Sequence, residues 1–401
     1  MKAKQVIEYI FFNRKFALFC WFGLSLLAVL QASAENGLNN YFIFKGVFYH
    51  TLHSKNLYAP YPAEYGDINL YGPLFSLIIA PFALLPDKLG VILWTLANAG
   101  FLLFAFGKLP LPARWKTALL FLCCHELMIS SAAIQVNPIV CGCIILGFAY
   151  TQKNKEGRAL FFIMAAAFIK IYGIVGLAFF IFSKKRLLFI TWAIIWSVVF
   201  FFAPLLITGF SFLSHSYYDW FQTLKLKYAK NISPGPDSLY QNVSVQGMIR
   251  RIFNWQGLND LLVLVPAAIL FLSQYLQHKY FRDLRFRLYI LCSVLIATVI
   301  FSSGSESSTY IIAMPGLCIW YLLQRKSKWV NIFFVLAFLL TSFAYSDIFT
   351  PWARHHLFRP YSLKAIMPFI IWLIIIVQVY KKQFLKAILP VQNSEGVLFA
   401  V

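Results

Sequence analysis

The chain has 401 residues, of which 60% are hydrophobic and only 12% charged, with a mean hydropathy of +0.71. Soluble domains carry about 25% charged residues, so soluble domains of this length, a disordered chain and a soluble basic nucleic-acid module are all excluded. The 35 Lys and Arg against 14 Asp and Glu give a net charge of +21; in an all-α polytopic membrane protein such bases gather at cytoplasmic helix ends and meet anionic headgroups.

A crossing helix needs about 20 apolar residues. The first candidate is 16–33, preceded by Lys2, Lys4, Arg14 and Lys15 and without a clear small-residue cleavage site, so it reads as a span rather than a removed leader. Apolar segments follow at 73–86, 89–107, 115–133, 136–151, 159–182, 187–208, 261–277, 288–303, 308–323, 329–345 and 363–380. The expectation is a single integral membrane domain, 1–401, of about 10–12 transmembrane helices. Two connections are too long for turns: a first loop, 34–71, and a second, 209–260, both rich in Tyr, Asn, Pro and Gly. Long loops in a tight bundle are usually functional.

Bases at Arg282, Arg285 and Arg287, then Arg325, Lys326 and Lys328, then Lys381 and Lys382 alternate as cytoplasmic ends should. With both termini inside, both long loops face out. The early half alternates less cleanly, and treating 73–86 and 159–182 as re-entrant places more bases inside. All seven cysteines lie in apolar stretches without metal-like spacing to His, so they read as small apolar packers.

The scarce acids are the informative charges. Glu64 and Asp67 lie in Tyr61-Pro62-Ala63-Glu64-Tyr65-Gly66-Asp67, just before the segment opening at Tyr71-Gly72-Pro73. Either is a helix-end cap or a general base at the water–membrane boundary. Glu306 sits among six hydroxyl-bearing residues in Ser303-Gly304-Ser305-Glu306-Ser307-Ser308-Thr309-Tyr310, and is either an N-cap or part of a sugar site. His125, Glu126 and Lys170 fall inside apolar runs, where an ionisable group needs a cavity or a partner; a Glu126–Lys170 pair would satisfy two of them. The second loop carries Lys225, Lys227, Lys230, Arg250 and Arg251, which meet headgroups or grip one phosphate. It also holds Pro234-Gly235-Pro236, Asp237 and the amides of Gln241 and Asn242. His355-His356 has no recognisable third ligand, and no metal is expected. No phosphate-cradling glycine loop appears, and the cytoplasmic connections are too short for a nucleotide site. No cofactor is expected, and a donor for outside chemistry would arrive on a lipid.

Several stretches, in order over about 38–310, resemble glycosyltransferase family 87, polyprenyl-phosphate-sugar-dependent enzymes of the GT-C superfamily. The strongest runs from Tyr71-Gly72-Pro73-Leu74-Phe75 through Ala80-Pro81 to Leu85-Pro86, continued by Leu93-Trp94 and Asn98. Gln135-Val136-Asn137 resembles the family's Gly-Gln-x-Asn with Ile134 in place of Gly. Gly157-Arg158 and Ile169-Lys170 resemble the next block, and Gln241 to Gly247 with Arg250 a loop motif. The resemblance implies a GT-C-like bundle, a catalytic acid in the first outer loop, and inversion at the sugar carbon. Two departures stand out. The family's first-loop Asp meets Asn39-Asn40-Tyr41, so Asn40 cannot be a base, and the family's late Ser-Pro … Trp … His-His meets Ser303-Gly304 … Glu306 … Thr309-Tyr310.

The expected function is a membrane hexosyltransferase, with mannose the family's usual sugar, acting on a lipid or envelope glycan acceptor outside a bacterial plasma membrane. Asp67, Glu64 or Glu306 would be the base. Lys170, Lys225, Lys227, Arg250 and Arg251 would hold the donor phosphate, and Asn40, Tyr71, Gln135, Asn137, Gln241 and Asn242 the sugar or acceptor. A transporter or flippase of a lipid-linked or anionic solute is the rival, with Glu126 and Lys170 on the path; no inverted repeat supports it. A structural subunit of an envelope-synthesis complex is the third reading.

Overall fold

Regular structure in the computed structural model is helical, apart from a two-residue antiparallel pairing of Val391–Gln392 with Leu398–Phe399. The structure describes residues 11–233 and 240–388, and the backbone of 391–392 and 398–399. Lys2, Lys4, Pro234, Gly235, Pro236 and Asp237 lie outside the described residues.

Among the described residues, four helices are long and apolar enough to cross a membrane: Arg14–Ala34, Asp87–Lys108, Arg186–Leu206 and Leu363–Tyr380. Shorter apolar helices are Asn137–Gln152, Ile171–Phe182, Leu261–Leu276, Ser307–Leu323 and Lys328–Phe343. On Arg186–Leu206 the side chains of Leu187, Ile194 and Leu206 are 83%, 60% and 82% exposed. Water would not tolerate so continuous an apolar surface, whereas lipid does. The chain is an all-α polytopic membrane protein.

Two apolar runs do not form single crossing helices. The run 73–86 yields only Phe75–Ala83, nine residues, or about 14 Å at the helical rise, under half the hydrocarbon thickness. The run 159–182 breaks at Lys170, whose backbone is extended at φ −147° and ψ 121°, between the helix Glu156–Ile169 and the 3₁₀ segment Ile171–Phe182. The two pieces pack together because Gly173 and Gly176 present no side chain: a Cβ on Gly173 would lie 2.4 Å from the Ala167 nitrogen, and one on Gly176 2.8 Å from Ile163. The long connections are also more ordered than loops. The first contains the helix Asn39–Leu52, and the second the helices Phe210–Ile232 and Val245–Ile252.

The chain divides into two compact units, Leu18–Leu109 with Leu127–Lys227, and Met1–Ala17, Pro110–Glu126 and Tyr228–Val401. In the former, Asn39–Leu52 is two-faced. Tyr41, Phe44, Val47 and Phe48 are buried, and the Phe44 ring meets Tyr71 at 5.0 Å, Phe75 at 5.0 Å and Trp94 at 5.8 Å, all edge-on. The opposite stripe, Phe42, Lys45, Gly46, Tyr49, His50 and His53, lines a cavity of about 360 Å³ together with Lys55 and Glu64. In the latter unit, Leu284–Ile300 is buried along nearly its whole length against Ala313–Leu323 and Ile366–Tyr380. Gly316 makes the close approach possible, since a Cβ there would stand 3.0 Å from the Cys292 carbonyl.

Candidate active site

In the Leu18–Lys227 unit the site is built on one strap of chain, 66–72, pinned at both ends. The Gly66 amide donates to Asn39 Oδ1 (2.7 Å), and the Gly72 amide to the Ile169 carbonyl (3.1 Å). Between them Asn69 folds onto Tyr71, accepting its N–H and donating to its carbonyl, and Trp220 Nε1 donates to the Leu70 carbonyl (3.0 Å). Only glycine fits at 72: a Cβ would meet the Phe168 carbonyl oxygen at 2.2 Å and the Trp220 ring at 2.9 Å.

This strap delivers Tyr71 to three other motif residues. Its hydroxyl donates to Gln135 Oε1 (2.9 Å). Lys170 donates to Asn137 Oδ1 (3.0 Å), with its ammonium 4.9 Å from the Tyr172 ring and 5.9 Å from the Tyr71 ring. Asn40 joins from the start of its helix, where its amide donates to the Ala133 carbonyl (2.8 Å). The helix break at Lys170 sets its side chain beside the N-terminal turn of Asn137–Gln152 rather than along a helical row.

Ile134 explains the glycine expected there. The Gln135 amide bonds to the Ser130 carbonyl and the Ile134 amide to Ser131, both at 3.0 Å, closing the helix Ala113–Ala132 in a Schellman motif. That motif requires a left-handed residue, and Ile134 has φ +52°. A β-branched residue there costs roughly 1–2 kcal/mol. Ile134 is 1% exposed, and its burial offsets that strain.

The three candidate acids sit differently. Asp67 is exposed on the strap, and its Oδ1 accepts the Ile68 amide (2.8 Å). Glu64 turns to the other face of the Asn39–Leu52 helix, where its Oε2 meets His50 Nε2 at 3.0 Å. His50 is buried against the Tyr61 ring (4.0 Å). Burial lowers the His50 pKa, and the Glu64 charge only partly opposes it. Glu306, in the Tyr228–Val401 region, caps the short helix Ser307–Ile311 in a reciprocal box with Thr309.

The second-loop bases are dispersed in role. Arg250 is buried and spent on Asp260 (2.7 Å) and the Leu258 carbonyl (2.8 Å), with Tyr228 also donating to Asp260. Arg251 donates to the Gln241 carbonyl (2.8 Å), and burial lowers its pKa. Lys225 and Lys227 ride on Phe210–Ile232, Lys225 4.4 Å from the Phe221 ring. Asn242 is buried in a left-handed turn, accepting from Ser244 (2.6 Å). The Gln241-to-Gly247 motif also braces the segment after Leu284–Ile300: the Val243 amide bonds to the Ser305 carbonyl (2.8 Å), and Gln246 donates to that of Phe301 (3.1 Å).

One expected pair is corrected. Glu126 is bound not by Lys170 but by Lys364, at 2.9 Å and 3.2 Å to its two oxygens; both side chains are 0% exposed. Lys364 also donates to the Ser307 carbonyl and hydroxyl. Sequence reasoning missed Lys364, which lies 238 residues from Glu126, and His50, which its tyrosine-rich surroundings and nearby Glu64 hinted at.

A helical membrane protein with a polar cluster of Asn, Tyr, Gln and Lys at a broken helix is the class that fold and site define. Residues 69–303, more than half of the chain, match glycosyltransferase family 87. The chain belongs to that family and is a membrane glycosyltransferase. No curated protein matches it.

Proposed function

We propose that the protein transfers a hexose, mannose being the family's usual sugar, from a polyprenyl-phosphate donor to a lipid or envelope glycan acceptor, at the outer face of a bacterial plasma membrane. The observation that supports this most is the meeting of Tyr71, Gln135, Asn137 and Lys170, drawn from three separate stretches of chain, with Asn40 alongside. Amides and a phenol suit sugar hydroxyls. A lysine among them suits the phosphate that leaves.

Asn40 stands where the family has its acid and has no basic oxygen to offer. Asp67 is the replacement: its strap is tied through Gly66 to Asn39, next to Asn40, and ends at Tyr71. Asp67 takes the proton of an acceptor hydroxyl, and that oxygen attacks the anomeric carbon. The bond from carbon to phosphate oxygen breaks with its electron pair going to the phosphate, and the single displacement inverts the configuration. Lys170 balances the charge gained by the leaving phosphate. Glu64 faces His50 and Glu306 serves a capping box, which ranks both behind Asp67.

The test is incubation of the purified protein with a labelled polyprenyl-phosphate sugar and membrane lipid acceptors. Asp67→Asn is expected to lower transfer by about 10²–10⁴-fold, the usual range for losing a general base. Full turnover in that variant would remove Asp67 from the mechanism. Solute flux into proteoliposomes without covalent product would replace the enzyme reading by transport.

A further inference from the structure

We infer that Arg359, with Arg354 and Arg251, forms a binding site for the phosphate of a polyprenyl lipid, built largely from residues beyond the 69–303 family match. The lipid's identity rests on the transferase reading above; the phosphate site rests on the side chains themselves.

Arg359 is half-buried, and among the described residues no carboxylate pairs with it. Its guanidinium carbon lies 5.5 Å from the Tyr240 ring and 5.9 Å from the Tyr345 ring, so its flat faces are held by aromatics. Its Nε is buried without a hydrogen-bond acceptor. Arg354 has the same feature: its Nε is buried and unbonded, while its Nη1 pairs with Asp347, whose side chain is 91% exposed. An ion pair so open to solvent contributes little. Arg251 comes from the second loop, where it bonds to the Gln241 carbonyl, and its charge acts on the Tyr345 hydroxyl together with that of Arg359.

The backbone brings two of these forks together. Arg354–Phe358 is a π-helical turn, and the Arg359 amide bonds back to the Arg354 carbonyl at 3.1 Å, so the two arginines lie one wide turn apart. A second π-helical turn, Leu339–Phe343, precedes Tyr345. Such turns are rare and concentrate at functional sites. The nearby acid Glu126 is already taken by Lys364, whose ammonium lies 6.0 Å from the Tyr345 ring. A half-buried guanidinium with an unbonded N–H and, among the described residues, no carboxylate partner is costly, and a phosphate oxygen removes both deficits at once. Arginine suits this better than lysine, because its fork matches two phosphate oxygens. The lipid released by transfer is a phosphomonoester, which carries more negative charge than the donor's phosphodiester, so this site binds the released lipid in preference to the donor.

The probes are farnesyl phosphate, farnesol and inorganic phosphate, each titrated onto the full-length protein in detergent with tryptophan fluorescence as the readout. Farnesyl phosphate is expected to bind and farnesol not to bind. Arg359→Gln should weaken farnesyl phosphate at least tenfold, with Arg359→Lys between. Arg354→Gln repeats the test should Arg359→Gln fail to fold. Unchanged affinity in well-folded Arg359→Gln and Arg354→Gln overturns the site. Inorganic phosphate binding as tightly as farnesyl phosphate overturns the lipid assignment. The sugar-transfer assay separates the two readings: Arg359-dependent binding without transfer keeps the site and removes the transferase reading, while transfer with Arg359-independent binding does the reverse.

Discussion

Lys170 and Lys364 both lie inside apolar runs of this chain, and their surroundings differ in kind. Lys364 is fully buried, shares both oxygens of Glu126 and adds two bonds to Ser307. Lys170 is half-buried at a helix break, bonded to the neutral amide of Asn137 and set over the Tyr172 ring. A carboxylate cancels the first charge, and the ammonium then serves as a structural knot. The Asn137 amide orients the second, and in the proposed mechanism its charge faces the phosphate of the donor. The difference separates a charge held in a buried ion pair from one to which the proposed mechanism gives a part.

The largest expected effect tests the knot. Glu126→Gln or Lys364→Met alone strands a buried charge and should cost about 3–5 kcal/mol, read as a drop in thermal unfolding temperature in detergent. Combining the two substitutions should recover most of that loss, since neither charge is then stranded. Single variants as stable as the parent would show that the pair does not support the fold. Lys170→Gln should behave oppositely. Its unfolding temperature should stay near the parent value while sugar transfer falls about 10²-fold, as for loss of one stabilising group at a developing charge, with Lys170→Arg retaining part of the rate. A large stability loss without a selective rate loss would put Lys170 in the same class as Lys364.

Next in size is Gly72→Ala, which forces a methyl against the Phe168 carbonyl and strains the strap between Asn39 and Ile169. Overpacking of this sort costs about 1–3 kcal/mol, and here it should also lower transfer, because the strap carries Asp67 and Tyr71. Stability and transfer both unchanged would mean that the strap is not held as tightly as its two anchoring bonds suggest.

The contrast between the lysines was only half legible in the sequence. Tyr71, Gln135, Asn137 and Lys170 are visible as ordered motifs, and the chain brings them together. The role of Glu126 is visible as a need for a partner, but not which partner: proximity along the chain favours Lys170, whereas packing supplies Lys364 from the opposite end. The break at Lys170 is hidden for a related reason. The apolar run 159–182 continues through it unchanged, and Gly173 and Gly176 declare their purpose only when a second element lies against them. Within 209–260, the density of Tyr, Asn and Lys suggests a loop, yet Phe210–Ile232 is a helix of 23 residues, hidden because its mixed polar and aromatic sequence lacks the long apolar run that marks a span. Arg359 carries no motif at all. Its meaning comes from two tyrosine rings 105 positions apart, Tyr240 and Tyr345.

The smallest expected effect concerns a third ionisable group, one whose proton is gained or lost near neutral pH. His50 lies on the cavity face of Asn39–Leu52, bonded to a half-exposed Glu64 and lined nearby by Lys45, His53 and Lys55. Burial holds its pKa below the ordinary value of 6.5, with Lys55 and His53 acting in the same direction and Glu64 against them. The unfolded chain therefore binds the proton more readily than the folded one. Stability is fully present above about pH 6.5 and falls as the pH drops from there toward the lower folded value, by at most about 1.4 kcal/mol per pH unit. Replacing the histidine by glutamine, His50→Gln, keeps a hydrogen-bonding group and removes the titration. The parent's unfolding temperature should then fall more steeply than the variant's between pH 7 and pH 5. Parallel curves would mean that His50 takes up its proton inside the folded cavity as readily as in water, with Glu64 acting as a full counter-ion, which would place this pair with Glu126–Lys364 rather than with Lys170.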